Sequence, residues 1–481
     1  MRLLNPLVIL RIWSTILFIE AASFLLCLPA AHLSNESPYP FLWSSLIAIV
    51  LSVTFFIVTR KVSFESIQNR EGYLAVASSW ILFSALGTLP YIISGAIPSF
   101  IDAFFEASSG FTTTGSSILK DVEAVPISIL FYRSFTHWIG GLGIIVLVVI
   151  ILPSVKITGF QLLTLESSLK EKIHPRSKAI VLRLLFIYVG LTVTEVVVLS
   201  LGDMNLFDSI CHSFGTVATG GFSTKNTSIA YYSSYSQYVI AIAMFLSGIS
   251  YVVYYHLFKL NLRKVWQNEE LWFYMLTVLI AGAIVTSILL VNTTWSPGQS
   301  VRNGFFQVIS FITTTGYTTT DYLLWPQSGL LVMFLLLFTG ASTGSSAGGI
   351  KMARHLMVIK NIKNVLIRII HQNMVSQIKL NSKPVTDNAN ISVLSFVVLF
   401  LFIFLIGTAL LVLTGIDLIT ASSASISSLS NVGPGFGAIG PMSNYSHFAD
   451  SSKLICSMLM IVGRLEIYTV FILFSRSYWK V

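Results

Sequence analysis

The stretch Phe104 to Ser117, FFEASSGFTTTGSS, returns three more times along this chain in altered form. The later versions are SICHSFGTVATGGFST (Ser209 to Thr224), FFQVISFITTTGYTTTD (Phe305 to Asp321) and ASISSLSNVGPGFG (Ala424 to Gly437). Each is a brief half-apolar segment with helical spacing, ending in small or hydroxyl residues and a glycine: Gly115, Gly220, Gly316 and Gly433. A residue of capping type stands in front of each, at Asp102, Asp208, Asn303 and Asp417, and long apolar runs flank all four. A short helix that points its C-terminus at a glycine-bearing turn presents backbone carbonyls, and it does so here in apolar surroundings. That is an arrangement suited to a cation.

Composition fixes the solvent. Hydrophobic residues make up 54% of the chain and charged residues only 10%, where a soluble domain carries about 25% charged residues. An all-α integral membrane protein is expected. The net charge of +9 does not imply a nucleic-acid partner, because the basic residues are placed as membrane topology requires. Cys27, Cys211 and Cys456 are far apart with no CxxC pattern, so they read as small packing residues without a disulfide or metal role. Near the N-terminus, Leu28-Pro29-Ala30-Ala31 loosely suggests a cleavage site. Leu26 is too large for a lipobox before Cys27, and the apolar run is long enough to span, so a retained first helix is expected.

A spanning helix needs about 20 apolar residues. Candidates lie at Leu7–Ala30, Phe41–Thr59, Tyr73–Ser94, Ile127–Leu152, Ala179–Leu201, Tyr238–Phe258, Leu271–Val291, Leu330–Phe338 with a continuation beyond a break, Ile391–Leu413 and Leu454–Phe474. The resulting plan is four membrane–pore helix–membrane repeats with pseudo-fourfold symmetry, plus an N-terminal two-helix hairpin. The expected units are the hairpin at 1–68 and repeats at 69–155, 156–262, 263–385 (with an intramembrane loop) and 386–481.

Lysine and arginine concentrate at 2–11, 60–70, 156–183, 259–264, 351–383 and 476–480, all on one side of such a plan. The positive-inside rule makes that side, and both termini, cytoplasmic. Lys120, Arg133, Lys225, Arg302 and Lys453 fall in the other half, and Arg464 lies within the last span. Carboxylates of the outer half, such as Glu106, Asp121 and Asp203, would raise the local cation concentration. Asp102, Asp208 and Asp417 read first as N-caps of the short helices.

A cation leaving water needs its hydration shell replaced, and converging carbonyl oxygens do this without fixed charge. Turning them inward calls for backbone shapes that glycine tolerates. Non-helical backbone at membrane depth is tolerable where it lines a watery cavity. One TTTG is a weak signal; four at matching places in matching units are a strong one.

At these residues the chain resembles the Trk/Ktr/HKT superfamily of cation transporters, within it the TrkH/TrkG type of bacterial potassium-uptake subunit. The resemblance rests on Arg70-Glu71-Gly72-Tyr73, Phe131 to Gly143 (FYRSFTHWIGGLG), Pro175-Arg176 and the four glycine-ended stretches. It implies potassium uptake across a bacterial inner membrane through a gated, channel-like pore with a four-repeat selectivity filter. By position, the potassium-binding carbonyls would belong to Thr113, Thr114 and Gly115, to Ala218, Thr219 and Gly220, to Thr314, Thr315 and Gly316, and to Asn431, Val432 and Gly433. The four glycines lean towards potassium, while the unequal strands TTTGS, ATGGF, TTTGY and NVGPG leave discrimination against sodium open.

The eighth span is interrupted by the small-residue run Thr339 to Gly349. The apolar segment before it is too short to cross about 30 Å of hydrocarbon, so the run must lie within the membrane. It resembles the family's gating loop, with Gly340, Gly344, Gly348 and Gly349 as its gating residues; a helix-packing seam is the alternative. It lacks the Gly-Lys-Ser/Thr ending of a nucleotide loop. Arg464 resembles a family arginine projecting below the filter, with a structural pair to Glu466 or Glu106 as the alternative. His137 and His212 read as ordinary hydrogen-bonded helix residues, and Gly140-Gly141-Leu142-Gly143 as a packing surface.

The family further implies a homodimer and a cytosolic ring of TrkA-type nucleotide-binding subunits. The basic stretch Lys351 to Lys383 could meet such a partner or anionic membrane lipid. A proton- or sodium-coupled symporter is the rival reading, for which only Glu20, Glu195 and Glu466 supply carboxylates within spans. A membrane enzyme would need a nucleophile–base pair or an HExxH motif, and the sequence has neither; no organic cofactor is expected, and potassium is the substrate.

Overall fold

The computed structural model describes residues 4–61, 69–146, 173–371 and 377–479. Arg2, Lys156, Lys170, Lys172 and Lys480, and the end of the span expected to reach Leu152, lie outside them. The chain opens with α1 (Pro6–Leu25), α2 (Leu28–Leu33) and α3 (Tyr39–Thr59). Helices α1 and α3 form a hairpin along a seam of small residues. Ser45 Oγ donates to the Ala21 carbonyl at 3.1 Å and Ser52 Oγ to that of Ser14 at 2.7 Å, as close-packed helices in lipid do.

The rest of the chain alternates long and short helices. First come α4 (Asn69–Leu86), α5 (Leu89–Ile93), α6 (Phe100–Phe111) and α7 (Ile127–Val146), then α8 (Ile173–Ser200), α9 (Leu206–Val217), α10 (Ser234–Ser247), α11 (Tyr251–Phe258) and α12 (Leu262–Trp266). Then follow α13 (Glu269–Asn292), α14 (Pro297–Ile312), α15 (Gln327–Leu336), α16 (Met352–Ile370), α17 (Asp387–Leu413), α18 (Leu418–Ser430), α19 (Asp450–Arg464) and α20 (Tyr468–Phe471). Among the described residues the only sheet is the two-residue pairing of Lys379–Leu380 with Lys383–Pro384.

Six helical stretches are long and apolar enough to cross a membrane, and two bent helix pairs bring the number to as many as eight among the described residues. Only 28–44% of the most apolar window of each of the six is buried, so most of that apolar surface faces outward, towards lipid. The chain is an all-α, multi-pass membrane protein.

Two spans expected to be continuous are broken. The chain bends by 91° between α10 and α11 and by 106° between Asp450–Arg464 and Tyr468–Phe474. Backbone groups freed at the first break are satisfied from elsewhere: the Gly248 carbonyl accepts from Ser342 N at 3.0 Å, and Tyr251 N donates to the Gly344 carbonyl at 3.2 Å. At the second break Glu466 (φ 56) and Ile467 (φ 32) leave helical geometry, and Glu466 pairs with Arg354.

The four short helices α6, α9, α14 and α18 are capped, though not always where expected. Ser99, Asn205, Ser296 and Asp417 are the N-caps, each accepting an amide from the first turn. Asp102 and Asp208 instead lie inside the first turn, where a carboxylate meets the positive end of the helix. Asn303 is mid-helix, because Pro297 starts α14 earlier than the apolar pattern implied.

Candidate functional site

All four short helices end alike. Thr113, Thr219, Thr314 and Asn431 take left-handed φ values of 52, 55, 56 and 57°. Their amides donate to Gly110, Thr216, Phe311 and Ser428 carbonyls, and the next amides, of Thr114, Gly220, Thr315 and Val432, reach back to Ser109, Gly215, Ser310 and Ser427. That double bond pattern is the Schellman cap. Glycine usually fills the left-handed position; β-branched threonine there costs about 1–3 kcal/mol and persists only where surrounding structure enforces it.

Next along each strand comes a glycine with positive φ: Gly115 (85°), Gly221 (82°), Gly316 (80°) and Gly433 (103°). A Cβ on Gly115 would meet the Gly220 carbonyl oxygen, one on Gly221 that of Thr315, one on Gly316 that of Val432 and one on Gly433 that of Thr114, all under 3.0 Å. The four contacts close a ring. In the second strand the ring uses Thr219, Gly220 and Gly221, one residue on from the Ala218–Gly220 register expected from sequence. The Ala218 carbonyl sits in the cap and accepts from Thr219 Oγ1 at 2.7 Å.

Thr114, Gly220, Thr315 and Val432 are buried, yet no donor among the described residues reaches their carbonyl oxygens. Buried carbonyls are seldom left so. The Gly433 carbonyl differs: it accepts from Ser116 Oγ (3.1 Å) and Tyr445 Oη (3.0 Å).

The ring is braced from behind. Glu106 of α6 is fully buried and accepts from Arg133 Nε at 2.6 Å, Ser117 Oγ at 3.0 Å and Ile118 N at 2.9 Å. Arg133 also donates to the Ser223 carbonyl at 3.0 Å and lies 3.5 Å over the Phe222 ring, joining the first strand to the second. The imidazole of His137 packs where a Gly220 side chain would go. Phe222 N donates to its Nε2 at 3.2 Å, so Nδ1 carries the proton that bonds the Gly110 carbonyl at 2.8 Å. His212 is likewise bonded, to the Asp208 carbonyl and Ser223 Oγ. Gly140 and Gly141 bring α7 against Phe111 and Ala218, the packing surface expected.

Beneath the ring lies the interrupted span. Thr339 and Ile350 form a parallel bridge, and Gly340 N donates to the Ile350 carbonyl at 2.8 Å. Gly348 N donates to Thr314 Oγ1 at 2.7 Å, and Ser346 Oγ to the Val217 carbonyl at 3.0 Å. A Cβ on Gly348 would strike the Ser430 carbonyl. The loop thus touches the second, third and fourth strands at their left-handed turns. Glu270 Oε1 accepts from Thr343 N within the loop and from Ala353 N in the first turn of α16, tying the two together.

A family model described as a cation transport protein, TrkH, matches residues 44–481. The chain belongs to the TrkH family. Among TrkH-family relatives, the Trk system potassium uptake protein TrkH of Escherichia coli K12 is 35% identical over 421 residues, covering 86% of this chain and 87% of that protein. The Trk system potassium uptake protein TrkI of Halomonas elongata is 31% identical over 490 residues, 98% of each chain. The crystal structure of the potassium transporter TrkH from Vibrio parahaemolyticus superposes with a TM-score of 0.91 at 29% identity, over 99% of this chain and 100% of that one.

In this TrkH-family chain Arg464 is buried, and its guanidinium donates to the Ser346 carbonyl at 2.6 Å and the Gly140 carbonyl at 3.2 Å. It pairs with neither carboxylate considered from sequence: Glu106 holds Arg133 and Glu466 holds Arg354. Arg464 therefore fastens the loop to α7. Sequence reasoning missed Gly221, Ser346 and Glu270 as parts of this site. For Gly221 the sequence offered two adjacent glycines and no means of choosing between them; for Ser346 and Glu270 only the fold brings the partners together.

Proposed function

We propose that this chain takes up potassium across a bacterial inner membrane through a gated, channel-like pore, with potassium as substrate and no organic cofactor. The supporting observation is the ring of buried carbonyls at Thr114, Gly220, Thr315 and Val432, which lack donors among the described residues. Oxygens in that condition suit a dehydrated cation. Thr113 to Gly115, Thr219 to Gly221, Thr314 to Gly316 and Asn431 to Val432 are the proposed filter, built by four repeats at 69–155, 156–262, 263–385 and 386–481 around the ring, with 1–68 as a flanking hairpin. Both termini are cytoplasmic by the distribution of lysine and arginine. The relatives' printed names as potassium uptake proteins favour the same substrate.

The loop from Gly340 to Gly349 is the proposed gate. It lies across the inner side of the filter, and Arg464 adds a positive charge that opposes cation passage while the loop stays fastened. Assembly as a homodimer with a cytosolic TrkA-type nucleotide-binding ring accords with the name Trk system carried by the relatives; such a ring would act on the gate from the inner side.

A coupled symporter remains the second reading because Glu195 of α8 is buried with both oxygens unpartnered, beside Thr216 of α9. Purified protein in liposomes separates the two. Gly316→Ala should abolish rubidium-over-sodium preference with the protein still inserted, while Glu195→Gln should leave wild-type flux unchanged with and without a proton gradient. Retained ion preference in Gly316→Ala removes the filter; loss of proton-dependent flux in Glu195→Gln establishes coupling.

A further inference from the structure

The last span breaks beside two pieces of the pore machinery. Before the break, Asn431 Nδ2 joins the fourth strand to α19 through the Met460 carbonyl at 2.9 Å, and one turn on Arg464 holds the loop at Ser346. Helix α19 then ends in a Schellman cap, with Glu466 N donating to the Gly463 carbonyl at 3.3 Å and Ile467 N to that of Val462 at 3.2 Å. Glycine usually takes the left-handed place in such a cap. Here Glu466 takes it at φ 56°, and β-branched Ile467 follows at φ 32°. Neither side chain favours those angles, so the bend lasts only while its neighbours enforce it.

Two polar contacts do so. Beyond the bend, Tyr468 Oη donates to the Ser392 carbonyl of α17 at 2.8 Å. At the bend, the Glu466 carboxylate pairs with Arg354, whose guanidinium lies 3.7 Å over the Phe396 ring of α17. Arg354 stands in the first turn of α16, where Met352 N also donates to the Ala341 carbonyl of the loop at 3.2 Å. One helix therefore grips both the loop and the bend, and it runs 19 residues from Met352 to Ile370, about 28 Å. A wholly buried ion pair would be too costly to part, and a wholly exposed one would hold little. Here the side chains are 9% exposed for Arg354 and 27% for Glu466, so water reaches one edge of the pair. Glu466, Lys351 and Arg464 line one small cavity beneath the loop, and a carboxylate freed from Arg354 meets other cations there. We propose that the Arg354–Glu466 pair is a latch on the gate, which rests on reading Gly340 to Gly349 as that gate. Closed, the latch holds the bend that keeps Arg464 on the Ser346 carbonyl. Displacement of α16 parts it, the bend relaxes towards helix, and Arg464 leaves the loop.

The test is rubidium flux into liposomes holding purified full-length protein at equal insertion. Glu466→Gln and Arg354→Gln should each raise flux several-fold, and the exchanged pair, Arg354→Glu with Glu466→Arg, should return towards wild type. Glu466→Gly separates a latch on a strained bend from an ordinary ion pair. It removes the same carboxylate yet suits a φ of 56°, so the bend should persist unaided and flux should stay near the wild-type level. Wild-type flux in both glutamine variants, an exchanged pair as leaky as the single variants, or equal leak in Glu466→Gly and Glu466→Gln would overturn the latch. Arg464→Ala is the reference for the gate itself. Raised flux there with none in Glu466→Gln overturns the latch alone, and no rise in either removes the gate as well.

Discussion

Gly220 and Gly221 stand side by side and are indispensable for different reasons. A side chain on Gly220 would press on the His137 ring, whereas one on Gly221 would press on the Thr315 backbone from a φ of 82°. An imidazole side chain can give way and packed backbone cannot. Gly220→Ala should therefore lose most rubidium uptake and regain part of it when combined with His137→Ala, while Gly221→Ala should stay inactive in the same background. Equal rescue of both would put the ring back in the Ala218–Gly220 register. At the outer end of α18, Asp417 caps the helix by accepting from Thr420 N at 2.9 Å. That bond holds its carboxyl below the usual range. A depressed folded value means the contribution is present above about pH 4, the unfolded value, and is lost as pH falls through the folded one. Asp417→Ala should cost about 1 kcal/mol, read as a lower melting temperature in detergent at neutral pH, with the gap to wild type closing in acid.

Elements carry two further consequences. The Glu106–Arg133 pair joins α6 to α7 and the first strand to the second, and it is buried at both ends. Removing one partner strands a charge, at about 3–5 kcal/mol. Arg133→Met should unfold at much lower denaturant than wild type, and Glu106→Gln with Arg133→Met should recover part of the loss; a double variant no better than the single would deny the pair its bracing role. The loop is the second case. Arg464 is its tie to α7, so Arg464→Ala should raise potassium flux several-fold in liposomes, and flux equal to wild type would remove Arg464 from gating. The broken eighth span was legible because Leu330–Phe338 is too short to cross and Thr339 to Gly349 is too small-sided to be a free helix. The bends near Gly248 and Glu466 were not. Each run is long enough to read as one span, even with Arg464 and Glu466 inside the second, and the chain breaks where the loop supplies hydrogen bonds to Gly248 and Tyr251, and Arg354 an ion pair to Glu466, from distant sequence.

For the whole molecule, sequence and structure meet at the ring. Helical patterning, the four glycine-ended stretches and the low charge content already implied an all-α membrane protein, because each is a local consequence of lipid as solvent. The caps were only partly legible: Asp417 was, but Ser99, Asn205 and Ser296 lie outside the apolar pattern used to place the helix starts. The one-residue shift in the second strand was hidden because ATGG offers two adjacent glycines, and only the cyclic contacts choose between them. The central claim is passage of potassium through that ring under voltage. Radiotracer flux into liposomes holding purified protein tests it most directly, with rubidium and sodium compared under a set membrane potential, with and without a proton gradient. The account predicts rubidium uptake that follows the potential, exceeds sodium uptake and ignores the proton gradient. Sodium uptake equal to rubidium, or rubidium uptake that requires the proton gradient, would contradict it.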